Sequence, residues 1–161
     1  MKITKIFHSC ILIEEKGVKI LLDPGTWVFG EKYAKPEDFA DVDVVLVTHE
    51  HQDHYDPKAL KVITSKGARL ITNASLVEKM SHEGLEAEAL LPGKVIKVKG
   101  ISIQGTNSPH GLNPIPVPEN LGFVIQGKVF HPGDSLEKDI LKKIEVILCP
   151  ITAPWMRLTE G

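Results

Sequence analysis

The stretch Thr48-His49-Glu50-His51-Gln52-Asp53-His54 puts three histidines and an aspartate within six consecutive positions, directly after the apolar run Val44-Val45-Leu46-Val47. Such a run predicts a buried strand. The fold must therefore end a strand where it can deliver a packet of ligand side chains. Imidazole and carboxylate suit zinc, iron or manganese. In a locally extended chain, side chains two apart share a direction, so His49, His51 and Asp53 would face one way and His54 another. One short loop could then feed two neighbouring ions. The competing reading is a histidine-rich surface loop without chemistry. It requires this density of ligands at a strand end to be accidental, which is rare.

The flanks supply regular structure. Asp56-Pro57 is an N-cap acid before a proline suited to a first helical position, predicting a helix from Pro57 to about Ser65. Leu60 and Ile63 would face inward, and Gly67 would end the segment. A strand over Arg69–Thr72 and a helix over Ala74–Ser81, capped by Asn73, follow, with His82 solvated at the helix end. Upstream, Lys2–Phe7, Cys10–Glu14 and Val18–Leu22 read as strands, with Lys16-Gly17 as a hairpin turn. Leu22-Asp23-Pro24-Gly25 closes a buried strand. A loop is expected from Thr26 to Asp38, where Trp27 and Phe29 either wall a pocket or cap the core edge.

The second half is again β-rich, with strands at Val95–Val98, Ile101–Gln104, Leu121–Gln126 and Lys128–Phe130, and turns at Gly100 and Gly127. Thr106–Asn120 holds Pro109, Pro114, Pro116 and Pro118, which exclude helix and central strand. A loop of that length in a compact domain is functional or disordered, and His110 stands in it. His131-Pro132-Gly133-Asp134-Ser135 repeats the strand, turn and acid order seen at Asp23. A helix over Leu136–Lys142 and a buried strand over Val146–Cys149 complete the reading.

Length sets the scale: 161 residues suit a single domain, 1–161, with a real core. A hydrophobic share of 42% and a charged share of 25% are those of a soluble globular protein. The net charge of −2 shows no basic stripe, so no nucleic-acid partner is expected. No long apolar span is present, so no membrane partner is expected and the expected location is cytoplasmic. Cys10 and Cys149 form no C-x-x-C pair and read as buried, inert thiols.

The motif resembles the H-x-H-x-D-H signature of the metallo-β-lactamase superfamily. Phe7-His8-Ser9-Cys10-Ile11-Leu12-Ile13-Glu14, Ile20 to Gly25, His110, His131 to Ser135 and Pro150 to Met156 are similar, in the same order, to its lactonase-like branch of metal-dependent hydrolases. The resemblance covers essentially the whole chain. It implies an α/β (α+β) fold, a four-layer αββα sandwich. It implies that His49, His51 and His110 bind one ion, that Asp53 and His54 bind a second, and that Asp134 bridges them. One or two zinc ions are expected, with manganese or iron(II) as alternatives. Ions about 3.5–4 Å apart can share a water and lower its pKa. The implied activity is hydrolysis of a small-molecule ester, lactone or phosphoester by a metal-bound hydroxide, with Asp53 and Asp134 as catalytic acids. Asp23 would hydrogen-bond the non-ligating nitrogen of a motif histidine, against the rival role of a turn-forming acid. His8 would line the cleft or be a satisfied buried histidine. His131 would contact substrate, support Asp134, or only pack.

The family pattern has a further helix, strand and histidine, and no histidine follows His131 here. The expectation is therefore a C-terminally incomplete sandwich with an uncovered sheet edge, completed by another chain or by self-association, or shortened artificially. Two other functions stay open: a single-iron dioxygenase of the same fold, using two histidines and an acid, and a non-catalytic, metal-stabilised domain or inactive fragment.

Overall fold

The computed structural model describes residues 1–112, 116–136 and 144–151. Of the helix expected over Leu136–Lys142 only Leu136 is described. Pro114, Trp155 and Thr159 also lie outside the described residues. The protein is mixed α/β with two sheets, in two compact units, Met1–Ala89 and Leu90–Gly161.

The first unit carries a six-stranded sheet ordered β1 (Lys2–Phe7), β2 (Cys10–Glu15), β3 (Val18–Leu22), β4 (Val44–Leu46), β5 (Arg69–Thr72) and β6 (Glu88–Ala89). β1, β2 and β3 are antiparallel neighbours, and β3 to β6 pair in parallel. The expected Thr26–Asp38 loop contains a short helix, α1 (Thr26–Gly30), and a 3-10 turn at Pro36–Phe39. α1 lacks any side-chain cap, which is why the sequence signals loop there. Phe29 packs against the core, whereas Trp27 stays 47% exposed. α2 (Pro57–Thr64) starts where its cap predicts: the Asp56 carboxylate accepts from the amides of Lys58 and Ala59 at 2.9 and 3.1 Å. α3 (Ala74–His82) is capped by Asn73, whose Oδ1 accepts from the Leu76 amide at 2.8 Å, and His82 is exposed. Leu60, Ile63, Leu76 and Met80 enter a core with Leu21, Val45, Val47 and Leu70. Each such fully buried side chain contributes about 1.5–3 kcal/mol.

Among the described residues the second unit carries a five-stranded sheet ordered β11 (Val146–Ile147), β10 (Val129–His131), β9 (Leu121–Ile125), β8 (Ile101–Asn107) and β7 (Val95–Val98). Buried Ile101, Ile103, Phe123, Ile125 and Val129 share one face of it, and buried Phe130 lies on the other face with its pairing partner Val124. Three hairpins use one turn chemistry. Lys16-Gly17, Lys99-Gly100 and Gln126-Gly127 each pair two positive-φ residues, at 52° and 79°, 48° and 85°, and 54° and 65°. That is the type I′ turn, whose second position strongly favours glycine. The strand expected to be buried at Val146–Cys149 is instead short and half-open. Val146 and Ile147 are 38% and 43% exposed, because β11 is an edge strand that pairs with β10 alone among the described residues. Cys149 is exposed, against its expected burial, while Cys10 is buried.

Candidate metal centre

β1, β3, β4 and β5 point the same way, since β1 and β3 both run antiparallel to β2 and β3 to β5 are parallel. Their C-terminal ends share one sheet edge, the place where ligands collect in parallel α/β sheets. His8 follows β1, Asp23 follows β3, Thr48–His54 follows β4 and Asn73 follows β5. Thr72 Oγ1 donates to Val47 O at 2.7 Å and Asn73 Nδ2 to Thr48 O at 3.0 Å, which holds the exit of β4 against β5.

The motif is a turn rather than an extended segment. The amides of His54 and Tyr55 both donate to His51 O at 2.9 Å. The alternation expected of His49, His51 and Asp53 therefore fails, because closing this turn rotates Asp53 toward His54. The residues group in pairs instead: His49 Nε2 lies 3.1 Å from His51 Nδ1, and Asp53 Oδ2 lies 3.5 Å from His54 Nε2. Gly25 sets the turn from the other side. A Cβ there would sit 2.1 Å from the carbonyl carbon and oxygen of Asp53, so only glycine lets the two backbones pass.

Asp23 is fully buried and holds this turn together. Its Oδ1 accepts from the Thr48 amide at 2.8 Å. Its Oδ2 accepts from Thr48 Oγ1 at 2.9 Å and lies 2.8 Å from His54 Nδ1. A carboxylate offers only acceptors, so His54 Nδ1 carries a proton, and in neutral imidazole Nε2 then carries the lone pair. Thr48 spends its hydroxyl proton on Asp23 and can accept from His49 Nδ1 at 3.0 Å, which orients His49 Nε2 as its acceptor nitrogen. One buried carboxylate thus selects the tautomer of two histidines, as outer carboxylates do at metal sites. Asp23 does so at a φ of 44°, a left-handed conformation that acids tolerate better than most residues.

Beside this network, His8 Nε2 lies 2.8 Å from Asp53 Oδ2. His8, Asp53 and His54 each offer a ligand atom, and all three atoms lie within 4.8 Å of one another. His8 is one-third exposed, which excludes the reading of a satisfied buried histidine.

In the second unit, His110 Nε2 lies 3.4 Å from Asp134 Oδ2. His110 Nδ1 lies 2.8 Å from Gly111 O, an obligate acceptor, so Nδ1 again carries the proton and Nε2 faces the acid. Asn120 holds the arrangement. Its Nδ2 donates to Ser108 O at 2.6 Å and Pro132 O at 2.8 Å, and its Oδ1 accepts from the Asp134 amide at 3.3 Å. The Gly111 amide donates to Asp134 O at 2.8 Å. Sequence reasoning passes over Asn120, because a lone asparagine beside a proline-rich stretch reads as ordinary loop. His131 is buried in β10 and belongs to no metal-capable group among the described residues.

Two ligand atoms about 2.0–2.1 Å from a common tetrahedral ion lie about 3.3–3.4 Å apart. The His49–His51 separation of 3.1 Å and the Asp53–His54 separation of 3.5 Å fit that bite. Cys10 is no rival ligand: burial, and then the Asp23 charge, push its thiol far above the ordinary range, which keeps it neutral.

Fold and site together define an α/β protein with imidazole and carboxylate groups gathered at strand ends. Residues 2–160 match the beta-lactamase superfamily domain, and the chain belongs to that family. It is 31% identical over 178 residues to a UPF0173 metal-dependent hydrolase of Methanopyrus kandleri, covering 100% of this chain and 75% of the relative. A UPF0173 protein of Pyrococcus furiosus is 31% identical over 158 residues, covering 94% of this chain and 70% of the relative. Among solved structures, the metallo hydrolase Igni18 of Ignicoccus hospitalis is similar at 26% identity and a TM-score of 0.59. That likeness covers 80% of this chain and 58% of the solved one, so the chain spans less than two thirds of that structure's length. Family membership places the chain among proteins named metal-dependent hydrolases. No helix among the described residues is long and apolar enough to cross a membrane.

Proposed function

We propose that this chain is a metal-dependent hydrolase of small ester, lactone or phosphoester substrates, acting in the cytoplasm. The ligand set proposed is His49, His51 and His110 for one divalent ion and Asp53 and His54 for another, with Asp134 between them. Zinc is the favoured metal, and manganese or iron(II) the alternatives, since imidazole and carboxylate donors suit all three. The observation that carries this reading is the Asp23 network. A buried carboxylate that sets His54 and, through Thr48, His49 in chosen tautomers is unnecessary for a histidine that only packs.

When bound, such an ion polarises the substrate and makes water a nucleophile near neutral pH. The residues of the chain do the rest. Asp53 turns Oδ2 toward His8 and His54, and beside its role as a ligand it would help orient an attacking water. Ser9 Oγ donates to Asp53 O at 2.6 Å, so the acid sits on a fixed backbone. Asp134 is held through its own amide and carbonyl, by Asn120 and Gly111, which fixes the backbone that presents its carboxylate beside His110. Trp27 lies 4.7 Å from the His8 ring and is half-exposed, a flat surface for the apolar part of a substrate.

The test is metal content with turnover. The wild-type chain should retain one to two equivalents of zinc or manganese and cleave a lactone or phosphodiester in a way that chelator removes and metal restores. A His49→Ala/His51→Ala chain should lose at least one equivalent. Full retention of metal by that chain would overturn the ligand assignment.

A further inference from the structure

The geometry points to His8 as a ligand for a divalent cation, sharing it with Asp53 and His54. This inference rests on the metal-dependent reading above and extends it to a residue outside the motif. His8 lies 45 residues from Asp53 in sequence, yet its Nε2 reaches Asp53 Oδ2 at 2.8 Å. His54 Nε2 approaches the same oxygen at 3.5 Å, and the two imidazole rings stand at 82° to each other. Two histidines thus converge, edge to face, on one carboxylate oxygen. Asp23 holds the proton of His54 on Nδ1, so in the neutral ring the lone pair of Nε2 is aimed at a negatively charged oxygen. A cation between the three groups would find two imidazoles and a carboxylate with ligand atoms all within 4.8 Å of one another.

The turn that carries His8 is built for this placement. His8 adopts a φ of 49°, a left-handed conformation that histidine enters more readily than most residues and that here has support from its surroundings. That support is visible: Lys5 Nζ donates to His8 O at 2.7 Å, and Ser9, the next residue, donates its hydroxyl to Asp53 O at 2.6 Å. Trp27 limits the ring from a third direction at 4.7 Å. His8 is 33% exposed while His54 is 3% exposed, so the cluster has a closed back and an open front, the form of a site that admits both an ion and a substrate. An ordinary ion pair between His8 and Asp53 would need none of the tautomer control at His54.

The experiment loads the metal-free full chain with Co2+ or Zn2+ and reads stoichiometry by mass spectrometry of the bound metal, affinity by titration, and ligation by long-range spectra of 15N-labelled histidines. The wild type should take two ions, and the His8 Nε2 resonance should move to the ligated position with one of the two equivalents. His8→Ala and His8→Gln should lose that ion or weaken it by more than about 100-fold, beyond the usual effect of removing a residue that only orients a ligand. The other ion should bind as before. If His8→Ala does not fold by circular dichroism, the wild-type His8 resonance still decides. An unmoved His8 resonance at two equivalents, or two ions bound at wild-type affinity by the His8 variants, would sink the proposal while leaving the metal-dependent reading intact. A wild-type chain that binds no ion would sink both.

Discussion

Asp23 and Asn120 each hold a histidine-bearing segment in place, and they do it with different chemistry. Asp23 stands at the end of β3 and grips the exit of β4, its hydrogen-bonding neighbour in the sheet. Among its partners are an amide, a hydroxyl and an imidazole, gathered by a single buried charge. Asn120 stands before β9 and ties two irregular loops, one carrying His110 and one carrying Asp134, through donors and acceptors of a neutral amide. The first grip controls side-chain tautomers. The second controls only backbone positions. A carboxylate is suited to fixing protons and an amide to bridging carbonyls and amides, since only the amide both donates and accepts.

The largest test of this contrast is Asp23→Ala. It leaves several buried donors without their acceptor, and the metal-free chain should lose about 3–5 kcal/mol in urea unfolding, with much weaker metal binding. A loss below that of Asn120→Ala would break the comparison. Next comes Gly25→Ala, expected to cost about 2–3 kcal/mol by overpacking, because its Cβ would meet the Asp53 backbone at 2.1 Å. Its counterpart, Gly122→Ala, would meet the Ser108 and Thr106 hydroxyls at 2.4 Å, side chains that can rotate, so the same denaturation series should show a smaller loss. Asn120→Ala should cost about 1–2 kcal/mol in the same urea series, less than Asp23→Ala. At the small end, Cys149→Ser should change stability by less than about 0.5 kcal/mol. A thiol reagent should label exposed Cys149 and spare Cys10, whose thiol burial keeps protonated. Equal labelling of both would show that the Asp23 neighbourhood opens readily.

The helices with caps were legible in the sequence, since Asp56 and Asn73 announce α2 and α3 and local hydrogen bonds suffice to start them. The glycine turns were legible for the same local reason. α1 was not, because nothing in Thr26–Gly30 satisfies its first amides from a side chain. The burial expected of Val146–Cys149 failed because apolarity does not tell a central strand from an edge strand. In the candidate site, the ligand types of Thr48–His54 were readable, but their grouping was not. Parity assumed an extended chain, and the two hydrogen bonds accepted by His51 O close a turn instead.

By itself, then, the sequence determined the donor chemistry: imidazoles and carboxylates after an apolar strand, in the pattern of a metal-dependent superfamily. Tertiary structure alone decided that Asp23 sets the tautomers of His54 and His49, that His8 shares an oxygen of Asp53 with His54, and that Asn120 joins two loops. Apart from that between the adjacent His54 and Asp53, these contacts span 12 to 45 residues of chain or pass through an intermediate side chain such as Thr48. Local propensity carries no information over such separations. Sheet register does, and here the C-terminal ends of β1, β3, β4 and β5 lie along one edge.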